Sequence, residues 1–437
     1  MSLFGVKQLA NTFLTGGSDQ STSRAIAAAT ESQFDDALKA TFRAGDQLQR
    51  GIVDFMYNAL TLEAFTPRSV MKMTFDMMQQ SAEAISLFVP GHESRLAWQE
   101  FRNKLQAFSS FEYVDSTLQL SGKTEISLQE LVERTEALGP YLSVWATEGL
   151  GNYFAETFLE RGKAPRNLLK GERADALPAR GLAALHAGMG LAIANYLLRK
   201  IEPQSSESEI RRVLEQFVAL CQDNSRDGYD RAAFEALGLV TRNLYPQLIP
   251  VLERHLSETS DNLSGYFWHG IGRAIYFAPT NSLPDNNSMR RALTMTQQEP
   301  PHEMGRRNAL AGLCWALTLV NIRQPEILEL FLKQHGDHLS DSHAFINGVS
   351  SSVMIWRDSA RGDTYLDALC QHEPDSSDAT LAERWEQMVR RPCLEALQRV
   401  YPVLKKQRRL GEVFHYLDLC ALVRQLESEC MRDVQAG

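Results

Sequence analysis

Apolar residues along this chain recur at three- and four-residue intervals, the spacing that aligns one face of an α-helix. Trp98, Phe101, Leu105 and Phe108 make one such stripe. Ahead of it, Thr66-Pro67 supplies an N-cap and a first-turn proline, and Met71, Met73, Phe75, Met77, Met78, Ala82, Ile85 and Phe88 follow until Pro90 stops the run. Thioethers are soft enough to line an adaptable groove, but at this spacing the methionines read as core. Ser127-Leu128-Gln129-Glu130 has the form of a capping box, which places a domain boundary near residue 125. Residues 3–14 form a short amphipathic pattern before the polar stretch 15–23, giving a mobile arm over 1–25. The only cation of residues 3–14 is Lys7, so that stretch suits docking on its own domain or a partner better than on anionic lipid.

Beyond residue 125 the pattern repeats. Gly149-Leu150-Gly151, Gly188-Met189-Gly190, Gly228-Tyr229-Asp230, Gly270-Ile271-Gly272, Gly312-Leu313-Cys314 and Gly348-Val349-Ser350 follow one another at spacings of 39, 40, 42, 42 and 36 residues. Each lies in a helical stretch, and second helical stretches fall between them at 209–221, 247–255, 289–297 and 326–334 and after the last at 364–370. The first interval, 162–178, is degenerate, with only Asn167 to Leu169 helical. The unit is a helical hairpin of about 40 residues, similar in size to HEAT or armadillo units. The expected fold is therefore all-α, with about six hairpins in a curved or toroidal α/α array over 126–375, a helical N-terminal region over 26–125 and a helical cap over 376–437. A glycine inside a helix costs about 1 kcal/mol relative to alanine. Six at matched places need a compensating gain, either close approach of a neighbouring helix or a ligand-facing surface, which Ala155, Ala194 and Ala274 would extend.

Composition narrows the partners. The 437 residues are 44% hydrophobic and 23% charged, as in a globular protein with a sizeable core. A net charge of -9 argues against gripping nucleic acid. The longest apolar stretches, 183–198 and 309–322, are too short to span a bilayer and read as buried helices. No secretion signal is recognisable at the start, so a cytoplasmic location is expected. Six cysteines without a C-x-x-C spacing read as free, mostly buried thiols.

Candidate chemistry follows from the repeat. Glu148, Ala187, Asp227, His269, Ala311 and Asn347 immediately precede the glycines. In a closed array they would converge, making Glu148, Asp227 and His269 candidate acid–base groups. His186, Gly188, Tyr229, Gly270, Gly272, Arg273, Arg306 and Asn347 would then line a substrate site. The alternative is that each polar group caps or bridges neighbouring helices, and in an open solenoid they would lie tens of ångströms apart. His335, His338 and His343 with Asp337 and Asp341 are metal-ligand types, but Gly336 interrupts the helix, and an exposed turn with Asp341 or Ser342 opening the next helix fits better; no metal is assigned. Gly348 to Ser352 lacks the last glycine of a nucleophile elbow, and Pro300-Pro301 breaks the helix a Glu299/His302 di-iron pair needs. Lys405-Lys406-Gln407-Arg408-Arg409 reads as a solvated helix end, or a contact for an acidic partner. No phosphate-binding loop or dinucleotide fingerprint occurs, and the cofactor is unknown.

Glu148-Gly149-Leu150-Gly151, His186-Ala187-Gly188-Met189-Gly190, Asp227-Gly228-Tyr229-Asp230 and His269-Gly270-Ile271-Gly272-Arg273-Ala274-Ile275-Tyr276-Phe277 resemble, in order, the blocks of an uncharacterised family encoded in bacterial enediyne polyketide gene clusters. The likeness covers roughly residues 140–360; Asp230 stands where that family usually has glycine, and the helical N-terminal extension is a further departure. It implies a pathway context rather than a reaction. One reading is an accessory or tailoring protein that holds a long apolar polyketide or polyene intermediate, free or on a carrier protein, in a helical-repeat cavity. The other is a non-enzymatic scaffold that grips a partner protein.

Overall fold

Every regular element among the described residues is a helix. The computed structural model describes residues 68–436, apart from 90, 119, 121–126, 161–164, 172–176, 286, 361, 363 and 376. The expected arm and most of the N-terminal helical region, with the Thr66-Pro67 start, lie outside the described residues, as do the side chains of Met71, Met73, Met77, His338 and Cys430.

Helices α1 (Arg68–Phe88) and α2 (His92–Glu112) meet at Gly91, whose φ of 90° lets the chain reverse without a Cβ clash. Phe75 stacks on Phe108 at 5.1 Å, which packs the Phe75 face of α1 against α2, while Met78 is half-buried. Ser127 caps α3 (Leu128–Glu136) by accepting from the Glu130 N–H. Then follow α4 (Pro140–Leu159), α5 (Leu182–Leu198), α6 (Glu207–Asn224), α7 (Asp230–Phe234), α8 (Ala236–Leu244), α9 (Ile249–Thr259), α10 (Asp261–Phe277), α11 (Ser288–Gln298), α12 (Glu303–Val320), α13 (Pro325–His335) and α14 (Ser342–Ser359). The intervening helices α6, α9, α11 and α13 fall where the second stretches are expected. Asn167–Leu169 do not: Asn167 adopts φ 56°, and the segment is pinned to the end of α6 by Asn224, whose side chain accepts from the Leu168 N–H and donates to the Pro165 carbonyl.

The glycines fall where helices touch. Helices α4, α5, α7 with α8, α10, α12 and α14 pack each on the next, and α14 also touches α4 and α5. A Cβ on Gly188 would lie 1.8 Å from the Glu148 carbonyl oxygen, and one on Gly151 2.0 Å from that of Leu185. The same reciprocal contact joins α8 to α10, where Gly238 meets Phe267 and Gly270 meets Glu235, and α10 to α12, where Gly272 meets Ala309 and Gly312 meets His269. Backbone fills the space that a ligand-facing surface would have left open. Gly228 is the exception: it sits in a turn at φ 82°, outside any helix, and Gly238 takes the packing place.

Residues Lys72–Gly437 form one compact unit. Between Ala379 and Lys406 the helix widens twice into π-helix, at Glu386–Arg390 and Ala396–Val400, each ending two residues before a proline, Pro392 or Pro402. The wider turn accommodates a residue that lacks an N–H and whose ring would strike the preceding turn. Lys406 and Arg408 are exposed as expected of a solvated end, but Lys405 pairs with the buried Asp358. No helix among the described residues is long and apolar enough to cross a membrane. Cys221, Cys314 and Cys393 are buried free thiols; Cys370 and Cys420 are free and half-buried.

Candidate functional site

Glu148 stands on α4 one residue before its close-approach glycine, Glu235 at the junction of α7 and α8, and His269 and Arg273 one turn apart on α10, so that three helices deliver four ionisable groups to one point. Arg273 donates to Glu235 Oε2 at 2.5 Å and to both oxygens of Glu148 at 3.0 and 3.2 Å. His269 Nδ1 lies 2.6 Å from Glu235 Oε1; the carboxylate acceptor places the proton on Nδ1. The guanidinium lies over the Trp315 ring at 4.4 Å, and the His269 ring meets the same indole edge-on at 6.4 Å. All four groups are buried.

Burial drives the two carboxyls apart. For Glu148, loss of solvent outweighs the attraction of Arg273 and raises the pKa. For Glu235, burial is opposed and outweighed by Arg273 and His269, and the pKa falls. Burial works against the charge of Arg273 too, but the two carboxylates overcome it and hold the guanidinium above its ordinary value. The arrangement is therefore an ionised carboxylate orienting an imidazole, beside a second carboxyl that takes up a proton more readily. The Nε2 of His269 meets no hydrogen-bond partner. A carboxylate-oriented imidazole with an open nitrogen is the constellation of a general base.

The structure thus unites Glu148, His269 and Arg273 from the sequence set and adds Glu235 and Trp315. Asp227 is exposed in the turn beside Gly228, away from this network. Arg306 pairs with Glu303 at the start of α12, and Asn347 donates to the Leu417 carbonyl. Gly188, Gly270 and Gly272 are filled by neighbouring backbone. His186 and Tyr229 stack on each other at 5.2 Å. His186 Nδ1 donates to the Leu182 carbonyl, and Nε2 accepts from the Arg226 N–H, so the neutral imidazole fastens the 225–229 turn to α5. Glu235 carries one sequence signal, its place three residues before Gly238; it precedes no glycine directly.

Burial pushes His186 down to about 4. An unfolded histidine protonates near 6.5, so between 6.5 and 4 the unfolded chain binds a proton that the fold refuses, and stability falls as pH falls. The loss amounts to about 3 kcal/mol by linkage. Urea unfolding at stepped pH should show this slope, and His186→Gln should reduce it by that amount, leaving the slope of the same sign that His415, pushed down to about 3 by burial, contributes.

The Asp341 side chain caps α14, accepting from the His343 and Ala344 N–H groups, so the histidine-rich stretch is an inter-helix turn. Among the described residues no group of three histidine, cysteine, aspartate or glutamate side chains could hold a metal ion. His302 caps α12 through Nδ1 and donates from Nε2 to Glu253. A separate groove of about 630 Å³ opens between α6 and α9. Its floor is Leu214, Phe217, Phe234, Leu237 and Leu256, its half-buried walls Val218 and Leu263, and its mouth carries Arg211, Glu215 and Glu258.

Comparison with known proteins finds no matching family model, no matching curated sequence and no matching solved structure.

Proposed function

We propose that this protein is an accessory or tailoring component of bacterial polyketide or polyene biosynthesis, and that it holds a long apolar intermediate in the groove between α6 and α9. The groove carries the reading. Its volume lies within the range of small-molecule sites, its floor is aliphatic and aromatic, and its mouth offers the Arg211 cation to a carboxylate or to a carrier-linked end. The resemblance of the glycine blocks to the enediyne-cluster family supplies the chemical class. The array behind the groove is read as six glycine-bearing helices closing on themselves, with α6, α9, α11 and α13 outside. Three observations support that closure: α14 touches α4 and α5, Trp356 lies 6.1 Å from Tyr141, and the Gly181 N–H donates to the Asp358 carbonyl.

A fluorescent polyene acid, cis-parinaric acid, tests the site. The wild type should bind it with enhanced emission, and Val218→Asp and Leu263→Asp, at half-buried wall positions, should each weaken binding at least tenfold, about 1.4 kcal/mol. Equal binding by both variants removes the groove from the reading. The groove is open on one side and bears both signs of charge at its mouth, which favours a second reading as a scaffold for a partner protein's helix. Failure of the wild type to bind the polyene would leave that one standing.

A further inference from the structure

After Lys406 the chain crosses several of the glycine-bearing helices in one short run. Arg408 turns it at φ 56°, a strained value for a residue with a side chain, and its carbonyl presses against Gly228. Leu410–Phe414 forms a single 3-10 stretch, held to α7 by the Arg231–Glu412 pair. His415 packs on Tyr266 of α10 at 4.3 Å. The Tyr416 N–H donates to Asn308 of α12 at 2.7 Å, and Asn347 of α14 donates to the Leu417 carbonyl at 2.8 Å. Phe414 sits 5.9 Å from Trp315, the indole that also covers Arg273 and His269. Trp315 thus touches both Phe414 of the strap, itself buried, and the ionised network.

His186, which fastens a turn, has both ring nitrogens engaged. His269 does not: the ring is wholly buried, Glu235 holds Nδ1, and Nε2 is left without a partner. His415, on the strap itself, likewise leaves a buried Nδ1 unpaired. A buried polar atom without a partner costs stability, which a ligand contact at Nε2 would relieve.

We propose that His269, oriented by Glu235, is a general base, and that residues 410–417 are a strap that uncovers it for a flat, conjugated ligand bearing an acidic C–H, which takes the place of Phe414 against Trp315. The proton passes from the ligand's carbon to Nε2 while Nδ1–H stays on Glu235, and the electron pair moves into the conjugated carbonyl. Return of the proton to another carbon of the same ligand makes the net change an isomerisation, with no oxidant, reductant or second substrate. This inference is independent of the groove between α6 and α9, and either can fail alone.

Two measurements decide it. Diethyl pyrocarbonate labels an exposed imidazole nitrogen with loss of ethyl carbonate, and peptide mass spectrometry resolves each site. His186, equally buried, reports whole-protein unfolding. His269 should be labelled at least tenfold faster than His186 in the wild type, and faster still in Asn347→Ala, which releases the strap's clasp, and in Phe414→Ala. Labelling of His269 no faster than His186 in the wild type and in Asn347→Ala overturns the strap, whether or not Phe414→Ala folds. The second measurement is deuterium uptake at the enolisable carbons of 2-tetralone in D2O. The wild type and Asn347→Ala should raise it at least tenfold above buffer, and His269→Gln in either background should return it to buffer. Uptake that is not raised, or is unchanged by His269→Gln, overturns the base.

Discussion

Alanine at Gly188 or at Gly238 lowers the stability of the protein by about 3 kcal/mol, the upper part of the range for overpacking a close-packed interior. Helix propensity alone argues the reverse, since alanine is favoured over glycine by about 1 kcal/mol. Contact geometry decides the sign. At both positions the added carbon would stand 1.8 Å from a carbonyl oxygen of the facing helix, Glu148 in one case and Phe267 in the other. Backbone cannot rotate away as a side chain can, so the helices must part, and every contact along their seam loosens. Gly265 of α10 is the control. Its nearest neighbour is the edge of the His415 ring at 3.4 Å, so Gly265→Ala should be neutral or stabilising by up to about 1 kcal/mol. Urea midpoints at constant m-value measure all three. Equal effects at Gly188 and Gly265 would remove close approach as the reason for these glycines.

That reason was half visible in the sequence. The helices follow from apolar spacing and breakers, and the intervening ones appear within a few residues of their expected ends because Pro246, Pro300-Pro301 and Pro325 mark the connections physically. Matched spacing also picked out the close contacts, with one failure. Gly228 keeps the register of 40 and 42 residues, yet a glycine in a turn at positive φ and a glycine beneath a helix crossing look alike in one dimension. The shift to Gly238 carries the acid–base assignment with it. Asp227 belongs to the turn and is solvated, whereas Glu235, three residues before the packing glycine, reaches Arg273 and His269. Nothing in composition or spacing distinguishes those two carboxylates, because the difference lies in which helix face meets α10. His186 and Tyr229 show the same limit. Their pairing across 43 residues is a stacking contact that anchors a turn, and only the hydrogen bonds on both imidazole nitrogens reveal it.

Removing the one guanidinium of the network should have the largest effect of any single substitution. Arg273→Met keeps the volume and the contact with Trp315 but leaves Glu148 and Glu235 buried without the guanidinium that pairs them, and breaking a buried pair in this way costs about 3–5 kcal/mol. The pH dependence separates this cause from lost packing. In the wild type the depressed Glu235 contributes stability that is present above the unfolded carboxylate value and is lost as pH falls through its folded one, while the raised Glu148 acts with the opposite sign. Without Arg273, Glu148 is left with burial and the repulsion of Glu235, and Glu235 keeps only the His269 hydrogen bond against burial, so both pKa values rise relative to the wild type. The folded variant then holds protons that the unfolded chain has released, so its deficit relative to wild type should be greatest near neutrality and shrink as pH falls toward the ordinary carboxylate range, near 4.3. Taking the difference between the two curves cancels the slope contributed by His186, which is common to both. Adding Glu148→Gln and Glu235→Gln to Arg273→Met removes the unpaired charges themselves, and most of the lost stability should return with the pH dependence of the difference abolished. A deficit that is the same at every pH, and that the two glutamines do not relieve, would assign the role of Arg273 to packing against Trp315 alone.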